Sequence, residues 1–117
     1  MKWKAILFAG FFLALLFAQA MTGKVQSSLE AQKLKTGKRV FVLNCQLCHG
    51  EKGSHPDPTF NLADGKWKHG GSRKAIEKSI MQGFSGTPML GFKGRLSRSK
   101  IAAVAAYVAS LSKRKPK

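Results

Sequence analysis

Cys45-Gln46-Leu47-Cys48-His49 is the run in this chain whose residue types and spacing specify the most chemistry. Two thiols separated by two residues, with a histidine directly after the second, form the attachment pattern of a c-type haem. One turn of helix carries both sulfurs to one side of the backbone, where each can add to a vinyl group. The following imidazole is then aimed at the iron from the proximal face. Covalent attachment keeps the cofactor in place through repeated one-electron cycles. Three other chemistries compete for the same pair. A redox dithiol belongs near a βαβ pattern, and the sequence carries none. A closed zinc site needs four ligands, and only His55 and His69 remain to complete one. A structural disulfide would use the same two cysteines, which are the only two present. One haem c, held through Cys45 and Cys48, is the reading that employs all three ligand residues.

His49 fills one axial position, and the other decides between electron transfer and ligand chemistry. The candidates are Met21, Met81, Met89, His55 and His69. Met21 precedes the expected domain. Met81 lies beside Ile80 on an expected helix, where a methionine ordinarily fills core gaps. His55 and His69 read as solvated loop residues. Met89 lies in Gly83-Phe84-Ser85-Gly86-Thr87-Pro88-Met89-Leu90-Gly91. Glycine and proline let such a loop lie extended against a flat ring, and Pro88 restricts the approach of the next side chain. A thioether is a soft ligand that stabilises ferrous iron and raises the potential. The expected iron ligands are therefore His49 and Met89.

Three helices must position these groups, which makes the expected fold all-α. The first covers about residues 29–43, with Leu34, Gly37, Val40 and Phe41 on one side and Lys33, Lys35, Lys38 and Arg39 outside. The second covers 73–82, with Ile76, Ile80 and Phe84 as its stripe and Gly83 as its stop. The third covers about 98–112, where Ile101, Val104, Val108 and Leu111 recur at helical spacing beside Tyr107. Its alanines allow another helix to approach closely. Between the first two helices, residues 50–71 hold five glycines and two prolines and read as loop. A loop of that length needs a function in a compact domain, and wrapping a cofactor is one.

The chain opens with Lys2 and Lys4, then 14 apolar or small residues from Ala5 to Ala18, then Ala18-Gln19-Ala20. That order fits a signal peptide over 1–20. The alternative is an uncleaved membrane anchor, although the apolar run is short against the roughly 20 residues of a bilayer span. Export agrees with the thiol chemistry, because haem attachment of this kind takes place outside the cytoplasm. The expected organisation is a signal at 1–20, a flexible polar segment at 21–28, one domain at 29–112 and a basic tail at 113–117. The expected location is periplasmic, free or anchored to the inner membrane.

Lysine and arginine number 21 against 5 aspartates and glutamates. Removal of Lys2 and Lys4 with the signal leaves 19 against 5, or +14. Such a charge governs partners and association rates, not fold. Ser72 and Ser97 read as N-caps, yet Arg73, Lys74, Arg98 and Lys100 follow them. Cations in a first helical turn oppose the macrodipole by about 0.3–1 kcal/mol each, which favours selection for a positive face. Acidic redox proteins are the expected partners. Nucleic acid is not, because a basic exported haem protein rarely meets it.

The chain resembles the class I c-type cytochromes, the small monohaem electron carriers, over about residues 36–111. The matching positions are Gly37 and Phe41, the Cys45–Gly50 run, Thr87-Pro88-Met89, and Tyr107. The resemblance implies that the first and last helices cross at right angles, with Gly37 giving contact room beside Phe41, Val104 and Tyr107. Asp64-Gly65-Lys66-Trp67-Lys68-His69-Gly70-Gly71 looks like the subgroup of cbb3-type oxidase subunit III and dehydrogenase-linked cytochromes. It implies that Trp67 sits near a haem propionate; a plain aromatic cap on the haem edge is the alternative. Leu62 is similar to a haem-packing leucine. One departure stands out. The family often has Pro-Asn-Leu where this chain has Phe60-Asn61-Leu62, and the proline carbonyl there accepts a bond from the proximal imidazole. Phe60 or Pro58 is left to supply it.

The residues and the resemblance together imply an exported electron carrier, not an enzyme, with lysines such as Lys52, Lys66, Lys68 and Lys93 around an exposed haem edge. Two other classes compete: a tightly bound cytochrome subunit of a dehydrogenase or oxidase, and an open-iron haem sensor or peroxidase.

Overall fold

The computed structural model describes residues 2–112, except the side chains of residues 2–9 and 20. The basic tail 113–117 lies outside the described residues. So do the side chains of the basic start and of Ala20 in the expected cleavage site. The elements in order are α1 (Lys2–Asn44), α2 (Gln46–His49), a 3₁₀ turn (Glu51–Gly53), α3 (Arg73–Gln82) and α4 (Arg98–Leu111). Among the described residues there is no strand, only the isolated bridges Gly83–Leu90 and Lys93–Leu96. The chain divides into two units, Met1–Gln32 and Lys33–Lys117.

The first unit is helix throughout its described length. Residues 21–28, expected outside any helix, are helical too. No proline interrupts the chain before Pro56. The polar residues back-bond within the helix: Thr22 Oγ1 donates to the Gln19 carbonyl and Ser27 Oγ to the Lys24 carbonyl, both at 2.9 Å. Hydroxyls on helix surfaces commonly bond this way, so this polar segment does not end the helix. Phe11, Phe12, Leu13, Leu16 and Phe17 are all exposed. Among the described residues, no helix is long and apolar enough to cross a membrane.

In the second unit the core forms around α4. The expected stripe of Ile101, Val104, Val108 and Leu111 is buried, and so are Ala103, Ala105, Ala106 and Ala109. The alanines explain why burial exceeds one face: α1 and α3 both approach this helix. From α1, the expected Val40 and Phe41 are buried and Leu34 packs beside them. The Phe41 and Tyr107 rings meet at 5.5 Å, tilted by 57°. Gly37 is where α1 touches α4. A Cβ there would overlap the Ala103 carbonyl oxygen and stand 2.8 Å from Tyr107 Cβ. Ile76 and Ile80 bring in α3, and Phe92 closes the core.

Both expected N-caps form. Ser72 Oγ accepts the Ala75 N–H at 3.2 Å and Ser97 Oγ accepts the Lys100 N–H at 3.3 Å. Ser97→Ala is therefore expected to lower stability by about 1 kcal/mol. The shift of the urea midpoint of the haem-bearing chain would measure it, and an unchanged midpoint would remove the cap from the account of α4.

Candidate haem site

The Cys45–His49 run lies just past the end of α1. Cys45 N–H still donates to the Phe41 carbonyl at 2.8 Å, but its own dihedrals leave the helix. A single turn, α2, follows, in which His49 N–H reaches the Cys45 carbonyl at 3.0 Å and Gly50 N–H the Gln46 carbonyl at 2.8 Å. This is the one-turn geometry expected for two thiols on one side. Both cysteines are free, Cys45 half-buried and Cys48 exposed. Burial, with the neighbouring Cys48 thiol adding to it, pushes the Cys45 thiol up to about 11. Among the described residues no group of three or more His, Cys, Asp and Glu side chains converges on a metal position.

The open question about the proximal imidazole has a definite answer. His49 Nδ1 lies 2.8 Å from the Phe60 carbonyl oxygen, to which it donates. Phe60 thus supplies the acceptor, and Pro58 instead accepts the Asn61 N–H at 3.4 Å. With its proton on Nδ1, the ring leaves Nε2 as a lone-pair donor. The carbonyl also fixes ring orientation and raises the basicity of Nε2.

The loop that delivers Phe60 is closed by backbone bonds at its neck. Leu62 and Ala63 N–H both donate to the Gly53 carbonyl, at 2.8 and 3.2 Å. Asn61 organises the turn: Oδ1 accepts Ala63 and Asp64 N–H, and Nδ2 donates to the His55 carbonyl. Asp57 Oδ1 accepts the Thr59 N–H at 2.8 Å, and Thr59 holds that carboxyl below the usual carboxylate range. Leu62 comes to rest half-buried over Gly53, near Leu111.

Met89 is held by a second closed loop. Phe84 N–H donates to the Met89 carbonyl at 3.0 Å; Phe92 and Lys93 N–H donate to Ile80 and Met81 at 2.9 and 3.2 Å. These bonds tie both limbs to the end of α3. Gly83, at φ +62°, permits the contact, since a Cβ there would overlap the Gly91 backbone nitrogen. Thr87 stiffens the tip. Its hydroxyl donates to the Phe84 carbonyl at 2.8 Å and accepts the Met89 N–H at 3.2 Å. Met89 is half-buried against the core.

Trp67 is half-buried and packs on the core, its indole so close to Gly71 that any Cβ there would overlap it. His69, expected as a solvated loop residue, is exposed, and its ring stacks on Phe84 at 4.3 Å and 26°. It joins the Trp67 loop to the Met89 loop, a contact that residue spacing could not reveal. His55 likewise meets Phe60 edge-on at 5.3 Å. Thr87, Asn61 and the two ring contacts are the parts that sequence reasoning missed. Only Asn61 carried a local signal, an Asx-type turn ahead of Ala63-Asp64.

Residues 32–108 match the family described as cytochrome C oxidase, cbb3-type, subunit III. The chain belongs to that family. The cbb3-type cytochrome c oxidase subunit FixP of Bradyrhizobium diazoefficiens is 42% identical over 77 residues, which cover 64% of this chain and 26% of that protein. Cytochrome c6 of Synechocystis is 40% identical over 80 residues, covering 67% of this chain and 65% of that one. A solved structure of cytochrome c6 from the diatom Phaeodactylum tricornutum superposes with a TM-score of 0.57 at 32% identity, over 68% of this chain and 94% of the other. The chain spans only about a quarter to a third of the FixP subunits it matches, 26% and 32% of two of them.

The domain is thus an all-α class I c-type cytochrome of the cbb3 type, as its sequence implied, and its cofactor is haem c. Its residues fit that group. Two free thiols stand beside an imidazole whose second nitrogen is uncommitted. The half-buried Leu62, Trp67, Met81, Met89 and Leu96 offer apolar surface continuous with the core. No buried polar side chain among the described residues opposes a porphyrin. A c-type cytochrome of this family serves electron transfer.

Proposed function

We propose that this chain is the haem-bearing domain of an exported one-electron carrier, with haem attached at Cys45 and Cys48 and iron held by His49 and Met89. When bound, the haem supplies a single-electron couple at iron. The bond from His49 Nδ1 to the Phe60 carbonyl carries the proposal. It commits the ring to the tautomer that ligates through Nε2, and it holds the ring still. Thr87 and the closed neck at Gly83 restrain Met89 in the same way. Two restrained ligands change little between oxidation states, which suits transfer over catalysis. Leu62 and Trp67 exclude water from the cofactor's flank. Reduced-minus-oxidised spectra taken through a potentiometric titration test the proposal. A low-spin haem c spectrum and a high potential support it; a high-spin spectrum overturns the His/Met pair and favours the sensor or peroxidase class.

Acidic redox proteins are the proposed partners, because Lys52, Lys66, Lys68 and Lys93 are all exposed. Complementary charge raises encounter rates without demanding tight binding. Raising ionic strength shortens the Debye length from about 30 Å at 0.01 M to about 8 Å at 0.15 M. The bimolecular rate with an acidic partner should fall by about tenfold or more across that range. Stopped-flow mixing with an acidic redox protein measures it, and a flat salt profile would rule out steering.

A second reading is a cytochrome unit fixed within an oxidase or dehydrogenase complex. The FixP and CcoP relatives, named as oxidase subunits and much longer than the matched region, favour it. Gel filtration of native extract separates the two, by elution as a small protein or with a complex. The proposed location is periplasmic in both cases, with residues 1–20 removed or retained as an anchor. N-terminal sequencing decides between those.

A further inference from the structure

We propose that His55 is a positioning residue for the proximal ligand, acting on His49 through Phe60. The inference rests on the reading of His49 as the axial ligand. The His49 ring depends on one carbonyl, and that carbonyl belongs to a residue with a freely rotating φ. A proline there would fix φ by its ring; Phe60 needs other restraints. It has two. Its N–H donates to the Asp57 carbonyl at 3.1 Å, and its ring meets the His55 imidazole edge-on at 5.3 Å and 67°.

His55 touches each strand of this loop. Its Nδ1 accepts the Asp57 N–H at 3.0 Å, so Nδ1 carries no proton and the longer approach to the Asp57 carbonyl is not a second bond. Its carbonyl accepts Asn61 Nδ2 at 3.0 Å. One residue therefore grips positions 57, 60 and 61, which bracket the acceptor for His49. The imidazole is half-buried, and this packing gives it a role that its place in a polar loop does not announce.

The ring contact is the part under test. Without it, Phe60 swings more freely and its carbonyl releases the His49 proton more often. The proton then exchanges faster, and a less basic imidazole favours ferrous iron and raises the potential. In the full haem-bearing chain, His55→Ala should speed solvent exchange of the His49 Nδ1 proton by about two- to tenfold, the factor an edge-on ring pair supports. His55→Phe, which keeps a ring at this place, should exchange at the native rate. In a Phe60→Pro background, His55→Ala should change nothing, because the ring that His55 meets is gone and φ is fixed covalently. Nitrogen-resolved NMR reads the exchange, and potentiometry reads the potential alongside it. Native exchange in His55→Ala, or the same acceleration in the proline background, overturns the proposal. If His55→Ala yields no haem-bearing protein, His55→Phe decides alone: acceleration there overturns it and native exchange upholds it. Failure of the axial reading is separable. His49 ring resonances without a paramagnetic shift in the oxidised protein would mean that His49 does not hold iron, whatever the exchange rates are.

Discussion

Met89→Ala is expected to leave the haem attached, lower its potential by on the order of 0.1–0.2 V, and open the iron to carbon monoxide and cyanide. The attachment residues Cys45 and Cys48 lie in a separate turn from the 83–91 loop, so removing one thioether does not touch them. A thioether favours the ferrous state, and axial ligands together move haem potentials across about 0.8 V. For one electron about 59 mV is a tenfold change in the equilibrium constant, so the expected drop is a large loss of ferrous preference. The backbone of the loop should survive. Its bonds run from Phe84 N–H to the Met89 carbonyl and from Met89 N–H to Thr87 Oγ1, and alanine retains both groups. Potentiometry and ligand-binding spectra of the purified variant check the prediction. An unchanged potential with closed iron would mean that another side chain, with Met81 the nearest alternative on α3, holds the sixth position.

Gly37→Val is expected to destabilise the haem-bearing chain by about 3 kcal/mol or more, the upper end of overpacking penalties. Two effects oppose each other at this position. Glycine within a helix is about 1 kcal/mol worse than alanine, so any side chain gains something in the isolated α1. Against that gain, the first carbon added would overlap the Ala103 carbonyl oxygen, and its neighbours are the Ala103 carbonyl carbon and Tyr107 Cβ, at 2.7 and 2.8 Å. A backbone atom of α4 cannot rotate aside. The helices must separate, and Phe41 and Val104, which are fully buried, would be uncovered. Domains are stable by only about 5–15 kcal/mol in total, so the loss is a large fraction. Urea unfolding of the holoprotein measures it. If Gly37→Ala instead stabilised the chain, as it would on an exposed helix, the helix crossing would lie elsewhere.

Much of the fold was legible because it rests on local rules. The boundaries of α3 and the start of α4 follow from Ser72 and Ser97 as caps and from Gly83 as a stop. The Gly37–Phe41–Tyr107 crossing followed from family resemblance and from spacing on two helices. The helix α1 starts well before residue 29, because Thr22 and Ser27 bond back to carbonyls on the helix surface instead of ending it. The sequence implies solvated histidines at 55 and 69; His69 is indeed exposed, whereas His55 is half-buried. His69 stacks on Phe84 of a separate loop and His55 meets Phe60 of its own loop edge-on, and no periodicity encodes a contact of that kind.

By itself the sequence determined the chemistry available to this protein. Cys45, Cys48 and His49 are adjacent along the chain, so one helical turn brings them together whatever surrounds it. It also determined the charge, which depends on composition alone. The tertiary structure decided how firmly the proposed ligands His49 and Met89 are held. The choice of Phe60 over Pro58 depends on how a loop closes on the Gly53 carbonyl. The grip on Met89 depends on Gly83 meeting Gly91 and on the Thr87 hydroxyl lying between two backbone groups. Those contacts join residues whose approach is set by packing against α4. The residue types offered to a haem are a local property of the chain, whereas their restraint belongs to the folded core.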